Sequence, residues 1–472
     1  MITTKSTLFT TQTQSINMSL SSPDSPYFIR GVNLGGWLVM ERYITPYSFA
    51  VTDCHQRGNH CWYPGQIDAP SNTTRGYKLC DVKKCNAVLS ENVFNKTDYP
   101  MDEWHMGVAF EKHPKAGEEW LNFHFDNFVK KEDILALKKA GITHLRVPLP
   151  HWIVGDVRGD EPYIVADRWK YFLRLCEWVR EIGGMEIWPN LHTAPGSQNG
   201  FDNSGIEKLG KTCSGWWMKP ENVQRTLDVL LELSVAIKQA DVSDVVTGFG
   251  LLNEPFGDCD QFVYRQFVLN GITIMRRMLG NDFAIYISDL FQAHLFNDGE
   301  WGLDVAQFHN TFLDSHYYNV FTPEQRKMSP EEHIEQVCTP GFGNRLWDCC
   351  FYEEPKDHYL PSRGMQRIVA EWSAAFDAMP GEVLKPIMKS INEYGVAILM
   401  DRQLSQDRMD FLKQFIQAQI VMYEAKTAGV GHGWFYWNFK MEGGAFAEWD
   451  MCKWHCAVSP FCVRLYHQTC FG

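Results

Sequence analysis

The chain has 472 residues, 45% of them apolar and 21% charged, and carries a net charge of −13 in which Lys and Arg do not gather into runs. An acidic, unpatterned surface argues against nucleic acid or an anionic membrane as partner. No apolar run reaches the ~18 residues that a bilayer-crossing helix needs.

Taken in chain order, residues 1–26 are Ser/Thr-rich, predict a disordered tail and lack the apolar stretch of a signal peptide. After them, short apolar runs alternate with helical patterns, the signature of βα units. The runs predict strands at Phe28–Asn33, His144–Leu149, Met185–Leu191, Val246–Asn253, Phe283–Ser288, Phe312–Tyr317, Arg367–Glu371 and Gly433–Trp437. Between them lie amphipathic helices. In Asp167–Ile182, residues Trp169, Phe172, Leu173, Cys176 and Val179 recur at helical spacing, and Gly183 and Gly184 supply the stop. Lys130–Ala140, followed by Gly141, is a compact unit of the same kind. Eight such pairs without a linker predict one α/β domain over residues 27–472, a single (β/α)8 barrel. A doubly wound open sheet is disfavoured because no Gly-rich phosphate loop follows the first strand. Residues 41–128 are too long for a loop and predict a cysteine-rich cap inserted after the first strand. Residues 192–218 form a second long segment, of a length that is usually functional.

There are 14 cysteines. Most cluster locally: Cys54, Cys61, Cys80 and Cys85; Cys338, Cys349 and Cys350; Cys452, Cys456 and Cys462, with Cys470 just beyond. An even count in loop-like segments predicts disulfides and an oxidising compartment. Zinc is disfavoured, since Cys452 and Cys456 have no second pair of matching spacing. Glycosylation acceptors at Asn17, Asn72 and Asn95 agree with an extracellular or cell-surface location; the tail, without a signal peptide, does not.

In such a barrel the reactive side chains sit at the C-terminal strand ends. Those ends carry Asn33 and Glu41, Arg146, His192, Asn253 and Glu254, His316, Tyr317 and Tyr318, Glu371, and Trp437. Two carboxylates, Glu254 and Glu371, at the fourth and seventh ends are what glycosidic cleavage needs: one protonates the leaving oxygen while the other attacks the anomeric carbon. A gap of about 5–5.5 Å between them would mean retention of configuration. Arg146 is placed to hold the attacking carboxylate ionised, and Asn253 to bond a sugar 2-hydroxyl. Taken singly, a strand-end Glu can be a helix cap, Arg146 a structural ion pair, and His192 or His316 a satisfied core histidine. Their convergence at one end of one barrel favours the catalytic reading.

The stretches RGVNLGGWLVMERYITP (30–46), GITHLRVPLPHW (141–152), NLHTAPGSQNGFDNSG (190–205), LLNEP (251–255), SHYYNVF (315–321), VAEWSAA (369–375) and GWFYWNFKME (433–442) resemble glycoside hydrolase family 5, and within it the fungal-type exo-β-1,3-glucanases. The resemblance implies Glu254 as acid/base and Glu371 as nucleophile. Arg146, His192, Asn253, His316 and Tyr318 would surround the cleaved sugar. Glu41, Tyr43, Asp202 and Trp437 would bind the terminal glucose, with Trp437 as its stacking floor, and Phe201 and Phe321 would clamp the sugar on the leaving-group side. It also implies a monomer that acts on β-glucan or another β-glucoside without metal or cofactor. Departures from the family pattern are Asn190 and Thr193 where Asp and Gly are usual, Arg42 in place of Pro, Tyr317 in place of His, and the long 41–128 segment. Both glutamates are present, so the departures bear on substrate choice: β-1,6-glucan and glucosylated lipids are the alternatives. A catalytically silent carbohydrate-binding protein is disfavoured because neither glutamate is lost.

Overall fold

A computed structural model of the chain describes residues 28–46, 48–49, 76–78, 101–208, 210–297, 301, 306–338, 365–378, 396–398, 404–424, 431–442 and 446–452. Eight parallel strands close into a barrel: β1 (Ile29–Asn33), β2 (His144–Leu149), β3 (Glu186–Leu191), β4 (Gly248–Gly250), β5 (Ala284–Ser288), β6 (Thr311–Tyr317), β7 (Gln366–Trp372) and β8 (Gly431–Tyr436). The seam closes where β1 pairs with both β8 (Val32 opposite Tyr436) and β2 (Asn33 opposite Arg146). Each expected strand is found within a few residues of its expected ends.

The largest difference is at β4, which spans three residues where eight were expected, with one isolated bridge between Val246 and Ile187. The ladder is irregular there rather than ended, and the strand's glycines answer to rings on its neighbours. A Cβ on Gly248 would lie 2.7 Å from the Trp188 ring, and one on Gly250 would lie 2.4 Å from the Tyr286 ring. Past Gly250 single backbone bonds continue, from Leu251 N–H to Tyr286 O at 3.2 Å and from Asn253 N–H to Leu191 O at 2.9 Å, before the turn that carries Glu254. Trp188 and Tyr286, with Phe312 and Phe435, fill the barrel interior. Burying aromatic rings there closes the barrel beneath the site and makes it a packed core, not a pore.

Helices cover the outside. The helix Arg168–Ile182 starts after Asp167 and ends at Gly183, whose φ of 71° a glycine adopts without strain. Phe172, Cys176 and Val179 are buried in it as expected, Trp169 and Leu173 partly so, and Tyr171 and Leu175 join them. Within the long segment after β1, α1 (Glu103–Phe110) and α2 (Pro114–Phe128) belong to the wall of the barrel: Trp120, Leu121, Phe125 and Phe128 of α2 are core residues. Trp37 donates to Phe125 O at 2.9 Å, tying α2 to the β1 loop. Gly76–Lys78 pairs antiparallel with Val396–Ile398.

A disulfide joins Cys213 to Cys259, two cysteines outside the expected clusters, and Cys338 is disulfide-bonded as well. The tail 1–26, the acceptors Asn17, Asn72 and Asn95, and Cys54, Cys61, Cys80, Cys85, Cys349, Cys350, Cys456, Cys462 and Cys470 lie outside the described residues. Among the described residues no helix is long and apolar enough to cross a membrane.

Candidate active site

The strand ends converge on one cavity of about 440 Å³, within the range typical of small-ligand sites (about 300–1,000 Å³). Glu41, Tyr43, Phe201, Asp202, Glu254, Tyr318, Phe321, Glu371 and Trp437 all line it. Arg146, His192, Asn253 and His316 lie buried against these residues. Every residue expected at the site from the sequence is therefore in one place.

The two carboxylates are close. One oxygen of Glu254 and one of Glu371 lie no more than 4.8 Å apart, with a ring nitrogen of His316 within the same distance of both. His316 Nδ1 is 2.7 Å from Glu254 Oε1 and 3.3 Å from Glu371 Oε2, while Nε2 faces Asp314 Oδ2 at 3.2 Å. Burial opposes a charged imidazole, but Glu371, Asp314 and Glu254 outweigh it, and His316 titrates well above the ordinary histidine range. As an imidazolium it donates from both nitrogens.

Glu371 is held from two sides. Arg146 Nη1 donates to Oε1 at 2.7 Å, and the Tyr318 hydroxyl donates to Oε2 at 2.8 Å. Burial raises its pKa, while His316, Arg146 and the Tyr318 bond pull against that rise. Arg146 is itself fixed by Asn33 Oδ1 at 2.8 Å and Asn253 Oδ1 at 2.6 Å. A buried guanidinium with three defined acceptors is preorganised, so little rearrangement accompanies charge movement at Glu371.

Glu254 sits in a different setting. Its φ is 45°, a left-handed conformation that is costly for a residue other than glycine and that the tightly bonded turn enforces. Asn203 Nδ2 donates to its Oε2 at 2.9 Å. The turn is locked by Gln198, whose amide donates to His192 O and Asn253 O, each at 2.9 Å.

Among the buried polar atoms without a hydrogen-bond partner are Glu41 Oε1, His192 Nε2 and Asn253 Nδ2. Asn253 offers its oxygen to Arg146, which leaves the amide as a donor. His192 accepts from Asn190 at Nδ1 (3.0 Å), so Nε2 carries its proton and faces Glu41 at 4.0 Å. Burial, with Arg146 and His316, keeps His192 neutral by lowering its pKa well below the ordinary value. Glu41 is raised well above the carboxylate range by burial and by the neighbouring Asp202, Glu371 and Glu254. Buried polar groups are costly when unbonded, and a hydroxylated ligand would satisfy all three. Trp437 stacks parallel to His192, with ring centroids 5.8 Å apart. Phe201 and Phe321 each belong to an aromatic wall, with Phe256 (5.9 Å) and Tyr318 (5.3 Å) respectively.

No family model matches the chain. The glucan 1,3-beta-glucosidase of Lachancea kluyveri is 26% identical over 458 residues, covering 90% of this chain and 85% of that protein. The glucan 1,3-beta-glucosidase 2 of Wickerhamomyces anomalus is 28% identical, covering 94% and 90%. Both relatives match this chain over nearly its whole length. A solved rutinosidase from Aspergillus niger shares the fold (TM-score 0.58, 15% identity, 89% of this chain and 91% of that one).

Several residues with a place in the site were not singled out from the sequence. Asp314 orients His316, and its position two residues earlier on the same strand is a period-2 signal that could have revealed it. Asn203 lies inside the conspicuous 196–205 run. Arg42, noted only as a departure, stands 3.8 Å from Asp202 and 3.6 Å from Glu207 and so bridges the β1 and β3 loops. Nothing local in the sequence marks that bridge.

Proposed function

We propose that the chain is a retaining, exo-acting β-1,3-glucanase that releases glucose from the ends of laminarin-like chains. The observation that carries this reading is the separation of Glu254 and Glu371. At no more than 4.8 Å between oxygens, it leaves no room for the water that an inverting enzyme places between carboxyl groups about 6.5–9.5 Å apart. The homology supports the choice of β-1,3-glucan.

In the first step Glu371 attacks the anomeric carbon, and the bond to the leaving oxygen breaks as Glu254 gives that oxygen a proton. In the second, Glu254 takes a proton from water, whose oxygen attacks the same carbon and frees Glu371. Two inversions yield β-glucose. Arg146 and Tyr318 hold Glu371 ionised and aimed, and Asn253 Nδ2 serves the 2-hydroxyl, where a bond that tightens in the transition state lowers the barrier. Glu41, His192 and Asp202 take the remaining hydroxyls of a terminal sugar on Trp437, and the Glu41 segment blocks the far end. The Cys213–Cys259 disulfide supports work in an oxidising compartment, outside the cell or at its surface.

Proton NMR of laminari-oligosaccharide digestion tests the reading. β-Glucose appearing first supports both retention and exo action. α-Glucose first, or mixed oligosaccharides before glucose, sinks it.

A further inference from the structure

Two adjacent buried acids at the start of α1 bond to two of the loops that carry the site, those after β3 and β1. Asp102 is fully buried. Its Oδ1 caps α1 by accepting from the His105 backbone N–H at 2.9 Å and sits 2.7 Å from His105 Nδ1. Its Oδ2 points the other way and accepts from the Glu207 N–H at 2.6 Å. Beside it, Trp104 N–H donates to Gly205 O at 3.0 Å. Glu103 serves the opposite loop: it accepts from Met40 N–H at 2.7 Å and pairs with the buried Arg168. Met40 directly precedes Glu41 and Arg42.

Between those anchors lies the Asp202–Ser204 turn, and from it Asn203 reaches Glu254. The upstream end of that turn is held by its own loop: Asn199 Oδ1 accepts from Phe201 N–H at 2.8 Å, and Ser197 Oγ accepts from Gly200 N–H at 2.7 Å. The downstream end, past Gly205 at φ 89°, is bonded to α1 through Trp104 and Asp102. We propose that Asp102 is a positioning residue for proton donation by Glu254, acting through the Glu207 N–H to hold the turn from which Asn203 aims the Glu254 carboxyl. The inference rests on Glu254 being the acid.

The bland reading is that Asp102 only caps α1. Asp102→Ser separates the two roles, since serine is as good a cap as aspartate but has no second oxygen for Glu207. Two substrates read the result: 2,4-dinitrophenyl β-glucoside, whose leaving group departs without a proton, and methyl β-glucoside, whose leaving group requires one. Asp102→Ser is expected to lower kcat/KM on the methyl glucoside by on the order of tenfold or more, the scale of a displaced catalytic group, and to spare the dinitrophenyl glucoside. Asp102→Asn keeps both positions but accepts at only one, and should show a smaller loss of the same selectivity; it carries the test alone if the serine variant does not fold. In an Asn203→Ala background, Asp102→Ser should add no further selectivity. Equal losses on both substrates, no loss, or an additive loss in that background would overturn the proposal. Glu254→Gln is the control: if it fails to separate the two substrates, the assignment of Glu254 itself is wrong, whatever Asp102 does.

Discussion

Tyr318→Phe removes one oxygen from the site and little else. That oxygen donates to Glu371 Oε2 at 2.8 Å, and both groups are buried. The ring stays packed, because Phe321 and Trp449 lie 5.3 and 5.1 Å from it. A hydrogen bond to a charged group contributes about 1.5–3 kcal/mol, and about 1.4 kcal/mol is a factor of ten in rate. The loss in kcat/KM at neutral pH should therefore be about 10- to 100-fold. The pH dependence gives the sharper test. Burial raises the Glu371 pKa, and the Tyr318 bond is one of the influences that lower it. Deleting the hydroxyl lets Glu371 take up its proton at higher pH. Activity needs the ionised form, so the acidic limb of kcat/KM must move to higher pH, and the deficit must deepen on acidification. The assay is kcat/KM for an aryl β-glucoside from about pH 4 to 8, at concentrations well below KM. An unmoved limb, a limb shifted to lower pH, or a loss under about twofold throughout would refute the role given to Tyr318.

Glu371→Gln should lower turnover by roughly 10⁴-fold or more, the scale seen when a nucleophile is removed, whereas Glu254→Gln should spare the first step with dinitrophenyl glucosides; burst kinetics separate the two. Glu41→Gln should stabilise the fold at neutral pH while weakening glucose binding. Because burial and its acidic neighbours raise Glu41, the charged form costs stability above the ordinary carboxylate pKa of about 4.3; the gain should grow as pH rises and vanish below about pH 4, read as the difference in Tm between variant and parent. Replacing Cys213 and Cys259 by Ser opens a cross-link with a sequence separation of 46, which loop entropy values at up to about 4 kcal/mol; chemical denaturation should show the loss.

The barrel was legible because its signals are local. Nearly continuous apolar runs mark strands buried on both faces, as in β5, where every residue is buried, and Gly183 ends its helix through a φ that depends only on its own backbone. The need for glycine at Gly248 and Gly250 was not legible, because the rings they make room for, Trp188 and Tyr286, are supplied by other strands. Glu254 and Glu371 could be chosen from the sequence, since a barrel collects its strand ends at one mouth. Their separation could not, nor could Asn203 or Asp102 as partners, nor the pairing of Cys213 with Cys259. Periodicity reports which face a residue presents within its own element. Distances between elements follow from how the strands tilt, how the interior rings pack and where the long loops are tied. Those are properties of the closed barrel as a whole, and only the tertiary structure decides them.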